Sequence, residues 1–199
     1  MLYIKISLWR PGEKEGHTHA KILMVDLKLL IIGSWNWLMV WYYQGKSNMW
    51  LKHSGKDALK SMKKTFPEEE QLTEHVEWTA LLPLVFQDYQ FVYTHAGIVP
   101  YVPLNEQDRE ILWMPESDFY SYPKDLILKR TGGKPVIHGH TPCEYICSDG
   151  ARMNCDFGAN TYSIPEERAL CLVDLTNNMY YVYKIGSQKI LKRKIAVIA

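Results

Sequence analysis

The sequence predicts an α/β fold, and three stretches carry the prediction. Lys134-Pro135-Val136-Ile137 is an apolar β-run that stops at His138-Gly139-His140 and turns at Thr141-Pro142, so a strand delivers imidazoles to a sheet edge. Phe91-Val92-Tyr93-Thr94 repeats that grammar, running into His95-Ala96-Gly97 and then Pro100. Ahead of both lies helical text, residues 56–63 and a longer segment that opens on Glu68, Glu69 and Glu70. Strand ends are where open α/β sheets bind ligands. Neutral imidazole is the commonest metal ligand and glycine lets a backbone approach an ion closely, so two strands each ending in His beside Gly make half of a metal site.

A chain of 199 residues can bury the core of one domain or slightly more. Hydrophobic residues make up 47% and charged ones 23%, an ordinary globular balance. The formal charge of +1 gives no global attraction for nucleic acid or an anionic membrane, so any phosphate recognition must be local. The seven Trp and thirteen Tyr are expected mainly in core and strands. Cys143, Cys147, Cys155 and Cys171 lack C-x-x-C pairing and read as reduced thiols that act as small buried hydrophobes, with Cys143 and Cys147 at a strand start as the alternative pair for a metal. The apolar run in residues 1–10 is too short, and too soon broken by Pro11-Gly12, for a signal peptide or membrane anchor, so a cytoplasmic protein is expected.

In chain order, residues 2–9 alternate as a strand and Pro11-Gly12 opens a turn. In the next stretch His19 and Lys21 share a strand face, because side chains repeat every second residue. Residues 29–32 read as an apolar strand and residues 37–43 as a buried helix. Residues 56–63 form a short helix whose Lys56, Lys60, Lys63 and Lys64 make a basic face. Thr65 then caps a longer helix with acids in its first turn; Leu72, Val76 and residues 78–82 form its inward side, and His75 is no ligand. Residues 84–87 and 91–94 form a hairpin turned at Asp88-Tyr89. Asn105 caps a short helix over 106–112, residues 113–129 read as irregular, and Thr131-Gly132-Gly133 closes that stretch before the central strand. Two more hairpins follow, one around Asp149-Gly150 and one turned by Thr176-Asn177-Asn178, and the tail 189–199 reads as loosely held.

His19, Lys21, Asp26, Gly33, Ser34 and Asn36 fit H-x-K-x4-D-x6-G-S-x-N, and this stretch resembles the signature of the phospholipase D superfamily. The resemblance implies His19 as nucleophile, Lys21 and Asn36 on phosphate, and two such motifs meeting in one site, with Asp26 and Ser34 completing the pattern. A histidine nucleophile beside an ammonium suits phosphodiester chemistry. The chain carries the motif once, so this reading implies a homodimer, needs no metal, and is the one that admits nucleic acid as a partner.

A second resemblance covers residues 37–186. It rests on Tyr93-Thr94-His95-Ala96-Gly97-Ile98-Val99-Pro100, Ile111-Leu112-Trp113, Val136-Ile137-His138-Gly139-His140-Thr141-Pro142, Asn154-Cys155-Asp156-Phe157-Gly158-Ala159 and Leu170-Cys171-Leu172-Val173-Asp174-Leu175. In this order they resemble the C-terminal part of bacterial calcineurin-like metallophosphoesterases, the serine/threonine protein phosphatase family. The resemblance implies a two-sheet sandwich flanked by helices, incomplete here, with His95 and His140 as ligands to one divalent ion (manganese, iron or zinc) of a two-metal site and His138 and Asp156 near the site. It also implies a phosphate-monoester substrate, on a phosphoprotein or a dinucleoside polyphosphate, and an in-line attack by metal-bound water.

The family's upstream G-D-x-H-G, G-D-x-x-D-R-G and G-N-H-[DE] blocks are absent, and no Gly-Asp dipeptide occurs in the chain. Pro115 and Glu116 follow Trp113-Met114 where the family places a phosphate-gripping arginine. The organisation reads as a phospholipase D-like segment over 1–36, a metallophosphoesterase-like part over 37–186 and a tail over 187–199. Two histidines without a bridging carboxylate hold a dication weakly, so activity is expected to fall by orders of magnitude, and the third reading is a non-catalytic remnant or binding module whose histidines are satisfied by backbone carbonyls.

Overall fold

Adjacent β-runs joined by tight turns pair with each other first, and here such hairpins seed two sheets. The computed structural model describes residues 22–23, 42, 51, 55–159, 164–184 and 186–198. In chain order its elements are β1 (Ile22–Leu23), α1 (Lys56–Thr65), α2 (Glu69–Ala80), β2 (Val85–Gln87), β3 (Val92–Thr94), α3 (Glu116–Ser121), α4 (Lys124–Thr131) and β4 (Val136–His138). They continue with β5 (Cys147–Ser148), β6 (Arg152–Asn154), β7 (Ala169–Asp174), β8 (Met179–Lys184), β9 (Lys189–Lys194) and β10 (Ala196–Val197).

The larger, mixed sheet runs β10-β5-β6-β4-β3-β2, and the smaller, antiparallel one runs β1-β7-β8-β9. Within the larger sheet β3, β4 and β6 are parallel neighbours, so their C-terminal ends lie along one edge. Period-two alternation divides their side chains between two cores. Tyr93, Ile137 and Met153 face the smaller sheet and meet Val173, Tyr180 and Val182. Val92, Val136 and Ala151 face the other way and pack against Phe119 of α3 and Ile127 of α4. Burial on both faces explains why the text entering β3 and β4 reads as apolar runs, whereas β6 buries Arg152 and Asn154 with polar partners. The chain is therefore α/β, with two sheets sharing one core and helices on the far face of the larger.

All three hairpins form in the expected places, and α4 ends on Gly132 in the left-handed region at φ 67°, which a residue without Cβ adopts freely. Four expectations are corrected. Residues 113–129 are not irregular: they hold α3 and α4, each entered from an extended proline, Pro115 and Pro123. The short helix after Pro103 is two 3-10 turns, Leu104–Glu106 and Arg109–Trp113, and the cap is Asp108, whose side chain accepts from the Glu110 amide. Thr65 ends α1, its hydroxyl donating back to Ser61, instead of capping α2. Trp78 is not inward; it is 53% exposed and stacks on His75, so only Leu72 and Val76 of α2 reach a buried cluster.

The tail is also not loose. Strand β9 pairs along its whole length with β8, and β10 pairs in parallel with β5, so residues 189–198 cross from the smaller sheet to the larger. Leu191 and Ile195 enter the shared core, which supplies the driving force. The strands expected over 2–9 and 29–32 lie outside the described residues, as does the helix expected over 37–43 apart from Tyr42, which is helical. Among the described residues no helix is long and apolar enough to cross a membrane. All four cysteines are thiols, Cys155 buried and the others partly buried.

Candidate functional site

Backbone hydrogen bonds run past the ends of β3, β4 and β6 and draw the three following turns together. The Gly139 amide donates to the His95 carbonyl at 2.9 Å, the Cys155 amide to His138 at 2.8 Å, and the Cys143 amide to Asp156 at 2.8 Å. His95, His140 and Asp156 thus stand side by side at the C-terminal edge of three parallel strands, the usual ligand crevice of such sheets.

His95 Nε2 and His140 Nδ1 approach to 3.0 Å, with the rings edge to face. Two nitrogens bound at about 2.1 Å and at right angles on one ion would be about 3.0 Å apart, so the pair has the spacing of neighbouring ligands. Burial, aided by the fields of His140 and His138, holds His95 down at about 3. Burial also lowers His140, against the pull of the Asp156 carboxylate. Both rings are neutral at pH 7, as metal ligation requires, and in the absence of an ion one donates to the other. Trp113 packs edge-on against His140 at 5.8 Å between centroids. His140 itself sits at φ 76°, a left-handed conformation that a side chain with a Cβ adopts at a cost, and such outliers concentrate at functional sites.

His138 does something else. It is fully buried on the helix side of β4; the Tyr120 hydroxyl donates to Nε2 at 3.2 Å, and Nδ1 donates to the Gly139 carbonyl at 3.3 Å. That assignment satisfies both nitrogens of a neutral ring, and burial pushes it to about 4 even against the Gly139 hydrogen bond. His138 is a core histidine beside the site.

Asp156 is also committed to the backbone, its Oδ1 accepting from the Gly158 amide at 2.7 Å. Sequence reasoning passed over the residues that support this edge. Asn154 Nδ2 donates to Glu116 Oε1 at 2.7 Å and to the Thr141 carbonyl at 2.8 Å. Below them Arg152 pairs with Asp149 at 2.9 Å, donates to the Phe119 and Tyr122 carbonyls, and lies over the Tyr120 ring. Burial works to raise the Asp149 pKa, but the Ala151 and Arg152 amides and the Arg152 guanidinium outweigh it and hold the group below its usual value. The available signal was Arg152 itself: a cation inside a buried β-run must have a partner.

A two-metal centre does not fit these residues. Among the described residues no group of three or more His, Cys, Asp or Glu is placed to hold an ion. Without an ion Cys143 is a protonated thiol: burial above all pushes it up to about 12, and its Sγ donates to the Asp156 carbonyl at 3.1 Å. The glycine beside His95 does not make room for an ion either: a Cβ on Gly97 would lie 2.8 Å from both Met114 Sδ and Phe119 Cγ, so packing requires it. Glu116 and Asp156 give the edge an acidic character, suited to a cation and unsuited to an unassisted phosphate.

His19, Lys21, Asp26, Ser34 and Asn36 lie outside the described residues. Within their motif only Ile22 and Leu23 are described, as β1, paired antiparallel with β7. No protein-family model, curated protein or solved structure matches this chain.

Proposed function

We propose that this chain is a metallophosphoesterase homologue that takes up one divalent ion through His95 and His140 and hydrolyses phosphate monoesters far more slowly than a complete two-metal enzyme. The observation that carries the reading is the 3.0 Å approach of the two ring nitrogens, delivered from the ends of adjacent parallel strands. Both imidazoles are neutral at pH 7 and point at each other, so they can exchange their mutual hydrogen bond for a shared ion without moving far. Two neutral donors supply none of the negative charge that holds a pair of dications, which limits the site to a single, weakly held manganese, iron or zinc ion.

Calorimetric titration of the chelator-stripped chain with zinc or manganese tests this. The expected result is saturable binding of one ion per chain, lost in His95→Ala and in His140→Ala, with slow, chelator-sensitive turnover of an aryl phosphate. Metal uptake unchanged in both variants, or no uptake at all, defeats the proposal. Phosphodiester cleavage that persists in metal-stripped buffer and disappears in His19→Ala would transfer the assignment to the phospholipase D-like segment and a homodimer.

A further inference from the structure

The smaller sheet has two faces, and the core accounts for one. Ala169, Val173, Tyr180 and Val182 point inward with Leu191 against them. Alternation turns their neighbours outward, and the pairing register aligns them across β7, β8 and β9 in three rows: Leu170, Tyr183 and Ile190; Leu172, Tyr181 and Lys192; Asp174, Met179 and Lys194. Leu170 and Tyr183 are each 36% exposed and Ile190 is 69% exposed. The Lys192 ammonium lies 5.8 Å from the centre of the Tyr181 ring, which places both on this face.

Charge singles the face out further. Of the five cations in residues 179–199, a stretch without an acid, Lys192 and Lys194 lie on this face beside Asp174, while Lys184, Lys189 and Arg193 alternate to the other. The Asp174 carboxylate at the corner is held by the Asn177 side chain and by the Thr176 and Asn177 amides. Lysines on an edge strand such as β9 discourage sheet-to-sheet pairing, but that role does not call for an exposed Tyr183 and a half-buried Tyr181 in the neighbouring strand. An apolar protein partner would bury the ammonium groups without counter-charges. A duplex or an anionic bilayer would offer phosphates alone. Unpaired bases together with phosphates match both halves of the surface: rings for stacking, and cations along one border for the backbone. Tyr181 and Tyr183, alternate residues on one strand, are spaced by about 6.6 Å, enough for two successive splayed bases.

We propose that the outward face of the smaller sheet binds single-stranded nucleic acid, with Tyr181 and Tyr183 stacking on bases and Lys192 and Lys194 on phosphates. This surface is separate from the histidine edge and does not depend on its chemistry. Fluorescence anisotropy of the full chain with a short labelled oligothymidylate tests it, with the matching duplex and anionic phospholipid vesicles as competitors. Expected are saturable binding at low salt, a loss of roughly tenfold in affinity in Tyr183→Ala, and preference for the single strand over both competitors. In Lys192→Gln combined with Lys194→Gln, the slope of log affinity against log salt should shrink by roughly 1.4. Circular dichroism establishes that each variant is folded. Absence of binding at low salt overturns the proposal, as does binding that Tyr183→Ala leaves unchanged and that duplex or vesicles match, which would be attraction for any polyanion.

Discussion

At Gly97 a single methyl group has no space. Met114 could bend away from it, but Phe119 is fully buried, so Gly97→Ala should cost about 1–3 kcal/mol, measured as a lower urea midpoint at unchanged slope. His140 should respond in the opposite sense to loss of its side chain. Its φ of 76° penalises any residue with a Cβ, so His140→Gly is expected to be more stable than His140→Ala by about 1 kcal/mol, although both lose the ring. Equal stability of the two variants would mean that the left-handed conformation carries no strain. The same torsion sets the limit of what the sequence shows. His138 and His140, two apart, should share a strand face; instead His138 follows Val136 into the helix-side core while the backbone reverses at His140 and aims its ring at His95. That two strands end in histidines is legible from the text. Which of the histidines meet is decided by a φ angle that residue types do not reveal.

Element by element, legibility follows length and local chemistry. The hairpins announce themselves through Asp-Gly and Asn-Asn turns between short runs of aliphatic and aromatic residues, and all form where the pattern places them. Helices α3 and α4 have six and eight residues, shorter than the windows over which helical periodicity can be recognised, and proline-rich text hides them. Each is held by one large apolar anchor, Phe119 or Ile127, and by Arg152 gripping the end of α3, contacts visible only once the sheet exists. The tail was obscured by its lysines, which sit on an exposed edge, while Leu191 and Ile195 do the packing. Ending the chain after Gly186 would strip β9 from β8 and β10 from β5. Losing two aliphatic anchors at about 1.5–3 kcal/mol each removes a large part of the 5–15 kcal/mol typical of a domain. The truncated chain should melt many degrees lower, or without a cooperative transition, by far-ultraviolet circular dichroism. An unchanged melting curve would show that the strap only rests on the sheets.

For the molecule as a whole, the histidines at the strand ends tie stability to pH. Burial lowers His95 to about 3 and His138 to about 4, and it also lowers His140, whereas unfolding returns each to an ordinary value near 6.5. Below pH 6.5 the unfolded chain therefore binds protons that the folded chain refuses, and linkage makes stability fall as the pH falls. The contribution is fully present above about 6.5 and is lost progressively as pH descends toward the folded values. A bound proton is worth about 1.4 kcal/mol per pH unit and each unfolded imidazole is only half protonated at pH 6.5, so His95 and His138 together should remove roughly 3 kcal/mol between pH 6.5 and 5. Asp149, held below its usual value by two amides and a guanidinium, adds its own loss only at more acidic pH, so the window from 6.5 to 5 belongs to the imidazoles. Urea unfolding across that window, with chelator present so that no ion competes for the rings, should show a steep decline in the midpoint. His138→Gln, which keeps a polar side chain for Tyr120 but cannot titrate, should lower the slope by about one proton. A midpoint that stays level from pH 6.5 to 5 would mean that the rings charge in place, and the neutral strand-end site on which the metal proposal rests would go with it.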